Sequence, residues 1–283
     1  MYRRFASLLL AGLLTAGCAV PAVPDDAVSR VDALLPADAI LLGEQHDSPD
    51  HQRIHRQVID ALVARGALAA VALEMAPQGG STAGLPRDAD EAAVQAALKW
   101  TDASWPWKSY GPAVMAAVHS GVPVLGANLP RAGMRAAMAE SELDALLPGP
   151  ALKAQQQAIR LGHCDMLPES QVGPMTRVQI ARDRAMAQTL ASLAEPGKTV
   201  VLIAGARHVD RQLGVPRHLP AGLRTKVVAL RAGAADDARS AEQVDTTWAT
   251  PAVPPKDYCA EVRVVRPAPD APAGPGAGQM NQN

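Results

Sequence analysis

Residues 39–46 read Ala39-Ile40-Leu41-Leu42-Gly43-Glu44-Gln45-His46, and residues 199–208 read Thr199-Val200-Val201-Leu202-Ile203-Ala204-Gly205-Ala206-Arg207-His208. Each is a short run that is apolar at successive positions, the pattern of a strand buried on both faces, as in a parallel sheet. Each then breaks at glycine, which permits a sharp exit from the strand. The two Gly-x-x-His turns echo one another. Outward from them, Ala70–Leu73, Val122–Leu125, Lys226–Leu230 and Glu261–Val265 read as further strands. A helical pattern from Pro49 to Arg65 stops at Gly66, and Pro123 is acceptable near the start of a strand. Strands alternating with helices predict an α/β domain over residues 36–265: a mostly parallel central sheet flanked by helices. Residues 132–196 hold helical patterns at 132–147, 151–161 and 174–194 and no strong strand, so a helical lobe is expected to be inserted there.

Four strand ends carry polar residues. The first runs into Glu44 and His46, the second into Glu74, the third into Asn128-Leu129-Pro130-Arg131 and the fourth into His208. Strand C-termini share one edge of a parallel sheet, where open α/β folds place ligands. His46, Glu44, Glu74 and His208 are therefore expected to converge there, with Arg131. Imidazole and carboxylate together suit a divalent transition metal or acid–base work. His51 and His55 lie one helical turn apart, but Asp50, Gln52, Arg53 and Arg56 around them read as a solvated helix face. Aromatics make up only 3% of the chain, yet Trp100, Trp105, Trp107 and Tyr110 fall within 11 residues. They read either as a small core under a loop or as a wall for a flat ligand. Tyr110 and Tyr258 are also candidate iron ligands through their phenolates.

The N-terminus has Arg3 and Arg4, an apolar run from Phe5 to Leu14, and Thr15-Ala16-Gly17-Cys18. That run is too short to span a membrane as a helix, which takes about 20 residues. It has the form of a secretory signal resembling a lipobox, so residues 1–18 are expected to be removed with Cys18 lipidated. Ala19 in place of Asp favours the periplasmic face of the outer membrane. Residues 19–35 are then tether and lead-in, and the Pro-, Gly- and Ala-rich residues 266–283 a disordered tail. The formal charge of −1 becomes −3 once Arg3 and Arg4 leave, which gives no nucleic-acid footprint. Cys164 and Cys259 remain as an even pair in an oxidising compartment, expected to form a disulfide rather than free thiols.

Together, Gly43-Glu44-Gln45-His46-Asp47, Leu73-Glu74-Met75, Trp107-x-x-Tyr110, Asn128-Leu129-Pro130-Arg131, Arg182-Asp183 and Gly205-x-x-His208 resemble the ChaN-like haem-binding lipoproteins of the Tiki/TraB superfamily. Cys164-Asp165-Met166-Leu167-Pro168 and Asp257-Tyr258-Cys259 resemble that family's paired Cys segments. The match spans roughly residues 36–262. It implies a non-catalytic lipoprotein that binds haem in iron uptake and can share it in a homodimer. Trp107, Tyr110, Tyr258 and Arg131 are the candidate haem contacts. Without a Cys-x-x-Cys-His segment the haem would be held non-covalently. Tiki-type relatives are metal-dependent proteases, and erythromycin esterases share related His and Glu motifs. The competing expectation is therefore a metal-dependent hydrolase using His46, Glu74 and His208.

Overall fold

The computed structural model describes residues 27–233 and 243–260. Among these, six strands form one sheet: β1 (Ala39–Glu44), β2 (Leu68–Pro77), β3 (Val124–Asn128), β4 (Thr199–Gly205), β5 (Thr225–Ala232) and β6 (Thr246–Thr250). Their order is β3-β2-β4-β1-β5-β6, and every pairing is parallel. The α-helices are α1 (Ala27–Asp32), α2 (Pro49–Ala64), α3 (Glu91–Ala97), α4 (Trp107–His119), α5 (Arg131–Ala139), α6 (Gly149–Gly162) and α7 (Glu169–Leu193). No described helix is long and apolar enough to cross a membrane.

The strands are apolar on both faces because both faces are covered. Ile40, Leu42, Val71, Leu73, Val201 and Ile203 pack under α2 and α4 through Val58, Ile59, Leu62 and Val114. Leu41, Ala70, Ala72, Val200 and Leu202 pack on the opposite face against Met186 and Leu190 of α7, with Val209 and Val215. β1 and β4 are direct neighbours, paired from Ala39↔Val200 to Glu44↔Gly205. The chain leaves β1 into α2, which covers the first face, and leaves β4 toward Val209 and Val215, which cover the second. Adjacent strands that exit to opposite faces open a crevice at their C-terminal ends.

Between β3 and β4, where a helical lobe was expected, the chain forms α5, a 3₁₀ turn at Ser141–Leu146, α6 and α7, with a small core of Ala137, Leu143, Leu147, Val178 and Ile180, while Met186 and Leu190 of α7 pack on the sheet. Residues 132–147 break at Glu140, where ψ is 88°, so they are a helix and a turn rather than one helix. α7 starts at Glu169, before Pro174, and carries that proline within its length. A proline costs its N–H bond but is tolerated best near a helix start.

β6, Thr-Thr-Trp-Ala-Thr, is a strand the sequence reading missed: an edge strand of β-branched residues with Trp248 alone buried. The expected strand at Glu261–Val265, the signal at 1–18 with Cys18, and the tail at 266–283 lie outside the described residues.

Candidate functional site

Glu44 is the last residue of β1, and its side chain is buried in the crevice. Tyr110 Oη donates to Glu44 Oε1 at 2.6 Å, and His46 Nδ1 lies 2.7 Å from the same oxygen. His55 Nε2 sits 3.6 Å from Glu44 Oε2, and neither that oxygen nor either His55 nitrogen has a hydrogen-bond partner. Burial pushes the His55 pKa down to about 4, so its ring is neutral near pH 7. Burial works against charge on His46 too, but its bond to Glu44 and the nearness of Glu74 raise its pKa overall.

A second buried carboxylate, Glu74, lies within β2, the strand on the far side of β4 from β1. Its Oε2 accepts the Gly205 amide at 2.7 Å. Its Oε1 lies 3.2 Å from His208 Nε2 and 3.1 Å from Arg182 Nη2. Arg182 also donates to Asn128 Oδ1 at 2.9 Å, and Asn128 Nδ2 donates to the Glu74 carbonyl at 2.8 Å. Asp183 closes the set, 2.5 Å from His208 Nδ1. Burial alone would raise the Glu74 pKa; His208, His46 and Arg182 hold it well below the usual carboxylate range. Burial likewise opposes charge on His208, but Glu74 and Asp183 push its pKa up to about 10.

His46 joins the halves: its Nε2 is 3.9 Å from Glu74 Oε2, and a Cβ at Gly205 would stand 2.8 Å from that nitrogen. Glycine at the end of β4 is thus what lets the imidazole approach. His46, Glu44, Glu74 and His208 do converge, although β2 runs on to Pro77 and so carries Glu74 inside the strand instead of past its end. Their donors are largely spent on one another, and among the described residues no three His, Cys, Asp or Glu side chains are arranged to hold a metal ion.

The solvated-face reading of His51 and His55 is corrected: both are buried. They continue the apolar stripe of Ile54, Val58, Ile59 and Leu62 at helical spacing, which packs α2 on the sheet. That stripe was the sequence signal available. His51 Nδ1 accepts the Gln45 amide at 2.9 Å, and its Nε2 lies 3.2 Å from Thr250 Oγ1. It therefore pins the loop that carries His46. Arg182 and Asp183 appear in the sequence only as part of a motif; their pairing with Glu74 and His208 needs α7 laid across the sheet.

Trp107 and Tyr110 are buried, and Trp107 Nε1 donates to Glu91 Oε2 at 2.8 Å. Trp100 stacks edge-on against Trp107, with ring centroids 5.1 Å apart. Trp105 is half-buried beside His46, 4.8 Å between centroids. The aromatic cluster is thus a local core that walls the Glu44 crevice. Arg131 opens α5 and is exposed.

Tyr258 is 56% exposed. Its hydroxyl donates to Asp47 Oδ2 at 2.6 Å and lies 3.3 Å from Gln45 Nε2. Cys259, the next residue, is joined to Cys164 in the loop between α6 and α7. Residues 251–260 are mostly exposed, and this crosslink with the Asp47 bond ties Tyr258 beside the β1–α2 loop.

Residues 30–219 match the model of a family described as haem-binding uptake, Tiki superfamily, ChaN. The solved structure of cofacial haem binding to ChaN of Campylobacter jejuni is 26% identical, with a TM-score of 0.61 over 77% of this chain and 89% of that one. The type III effector HopBA1 is 15% identical at a TM-score of 0.41, covering 79% of this chain and 92% of its own. RRSP, a MARTX toxin effector domain of Vibrio vulnificus CMCP6, is 17% identical at 0.40, covering 69% and 35%. Among curated proteins none matches the chain.

Proposed function

The chain belongs to the haem-binding uptake family of the Tiki superfamily, ChaN, and on that premise we propose that it is a non-catalytic, lipid-anchored haem-binding protein of haem and iron uptake. The observation that carries this reading is Tyr258, a phenol hydroxyl held at the sheet edge with its ring open to solvent. A tyrosine oxygen is an established axial ligand for ferric haem iron. When bound, haem supplies that iron and two carboxylates. Tyr258 would hold the iron, and its hydroxyl is oriented by its bond to Asp47. Tyr110 is poorly suited, since it is buried, its hydroxyl is committed to Glu44, and both effects raise its pKa beyond the ordinary phenol range. Trp107 is held in the core below it.

Titration of the protein with haemin tests the reading. A saturable Soret shift of defined stoichiometry is expected in the wild type and a lost or altered shift in Tyr258→Phe. A wild type with no saturable shift ends the haem reading. The exposed tyrosine also fits a homodimer sharing haem, which sedimentation with and without haemin would test.

A second reading, a metal-dependent hydrolase using His46, Glu74 and His208, is supported by their convergence at the sheet edge. In this arrangement both ring nitrogens of His208 face carboxylates, so the residues as placed do not fit a metal centre. Stoichiometric Mn, Co or Zn in the purified protein, lost with activity in His46→Ala, would favour it.

A further inference from the structure

α2 starts at Pro49, so His51 is its third residue. A side chain at that position commonly reaches back to the N–H of its own helix cap. Here the cap is Ser48, whose Oγ is buried without a hydrogen-bond partner, and the imidazole reaches past it into the loop. His51 is fully buried. Its Nδ1 accepts the Gln45 backbone N–H at 2.9 Å, so that nitrogen carries no proton. The proton of the neutral ring is then on Nε2, which donates to Thr250 Oγ1 at 3.2 Å. That hydroxyl in turn donates to the Arg231 carbonyl at 3.1 Å. Burial, the largest influence on the ring, holds its pKa below the ordinary histidine value and keeps it neutral.

Both bonds end on the segments that carry Tyr258. Thr250 is the last residue of β6, and residues 251–257, which form no regular element, lead from it to the phenol. Gln45 stands where that stretch returns. Its Nε2 lies 3.3 Å from Tyr258 Oη and 2.9 Å from Asp47 Oδ1, and Asp47 Oδ2 accepts the phenol hydroxyl at 2.6 Å. The Cys164–Cys259 crosslink limits how far Tyr258 can travel, while the Gln45–Asp47 loop decides where its hydroxyl points. One imidazole thus holds both the strand end from which Tyr258 departs and the loop that receives it.

On the haem reading above, we propose that His51 is a positioning residue for the iron-binding phenol, acting through Gln45 and Thr250. Its ring locks the β1–α2 loop to the end of β6, so the Tyr258 oxygen is presented in one orientation before the ligand arrives. Fixing a ligating group beforehand lowers the ordering cost of binding.

The test sets three variants against the wild type and against a Tyr258→Phe background. His51→Ala removes both bonds, His51→Asn keeps an acceptor for the Gln45 N–H, and Thr250→Val removes the hydroxyl at nearly constant shape. Haemin titration should show about tenfold weaker binding for Thr250→Val, about the size of one lost hydrogen bond, and a larger loss for His51→Ala. Both should have a fainter phenolate-to-iron charge-transfer band, and His51→Asn should recover part of each signal. In the Tyr258→Phe background the same changes should cost almost nothing further, since the group they position is gone. In the haem-free protein, well below the melt, trypsin should cut after Lys256 faster in His51→Ala than in the wild type. If His51→Ala does not fold, Thr250→Val at the strand end carries the test. Wild-type affinity and band in the folded variants, or an equal loss in the Tyr258→Phe background, overturns the positioning role and leaves the haem reading standing. A wild type that binds no haemin overturns both.

Discussion

His208 lies between Glu74 and Asp183, and its ionisation gives the clearest residue-scale prediction. Its pKa rises from 6.5 to about 10 in the fold because the two carboxylates outweigh burial. A raised cation pKa means that the stabilisation is complete below the unfolded pKa and is lost as pH climbs through the folded one. His208→Gln should therefore lower the melting temperature most at about pH 6, with the gap to wild type closing between about pH 7 and 10. A gap that does not change with pH would show that the ring is uncharged. Glu74 has the opposite sign, its depressed pKa giving stability that disappears only in acid. The two tyrosines should separate by phenotype. Tyr110→Phe removes a buried donor from Glu44 and should cost about 1–3 kcal/mol by denaturant unfolding, leaving haem spectra unchanged. Tyr258→Phe should alter the spectra and leave the melt nearly intact, because its ring is exposed.

At the scale of elements, the ends of β1 and β4 depend on missing side chains. Gly43 faces the turn that carries His208: a Cβ there would collide with Val209 Cγ2 and come within 3.1 Å of the Ala206 Cα. Gly43→Ala is expected to destabilise by about 1–3 kcal/mol, as overpacking a filled interior does. Because the displaced atoms belong to the β4 exit, it should also move the His208 imidazole resonances by NMR. Resonances left in place would mean that the turn absorbs the methyl elsewhere. This dependence was half-legible in the sequence. The glycine-to-histidine turns stand out in it, but which neighbour excludes a Cβ follows from the β1–β4 pairing. The histidines of α2 show the converse error. Their charged neighbours in the chain indicate a wet surface, while the apolar stripe they belong to faces the sheet.

Across the whole molecule, the Cys164–Cys259 crosslink closes a separation of 95 residues. In the loop-closure account a crosslink of that span contributes about 4 to 5 kcal/mol through the unfolded state. Cys164→Ser/Cys259→Ser should lower the melting temperature and expose the chain at Lys256 to trypsin. It should also weaken haemin binding by loosening Tyr258. A double variant with wild-type protease resistance would mean that the Asp47 bond alone holds the segment. The proposed lipid anchor has its own test. Labelling with a radioactive fatty acid should mark the wild type and not Cys18→Ala, and an unlabelled wild type would rule out lipidation at Cys18.

The sequence by itself determined the parallel α/β class, because strands buried on both faces must be apolar throughout. It also marked Glu44, His46 and His208 at the ends of β1 and β4, whereas Glu74, expected just past a strand ending at Leu73, lies inside β2, which runs on to Pro77. What it left open depends on relations across the chain. Only the tertiary structure lays α7 over the sheet so that Asp183 and Arg182 reach His208 and Glu74. Only it buries Trp107 and Tyr110 while leaving Tyr258 outside. Local patterning is written in spacing along the chain, whereas burial and pairing are fixed by which surfaces the packed elements turn toward each other.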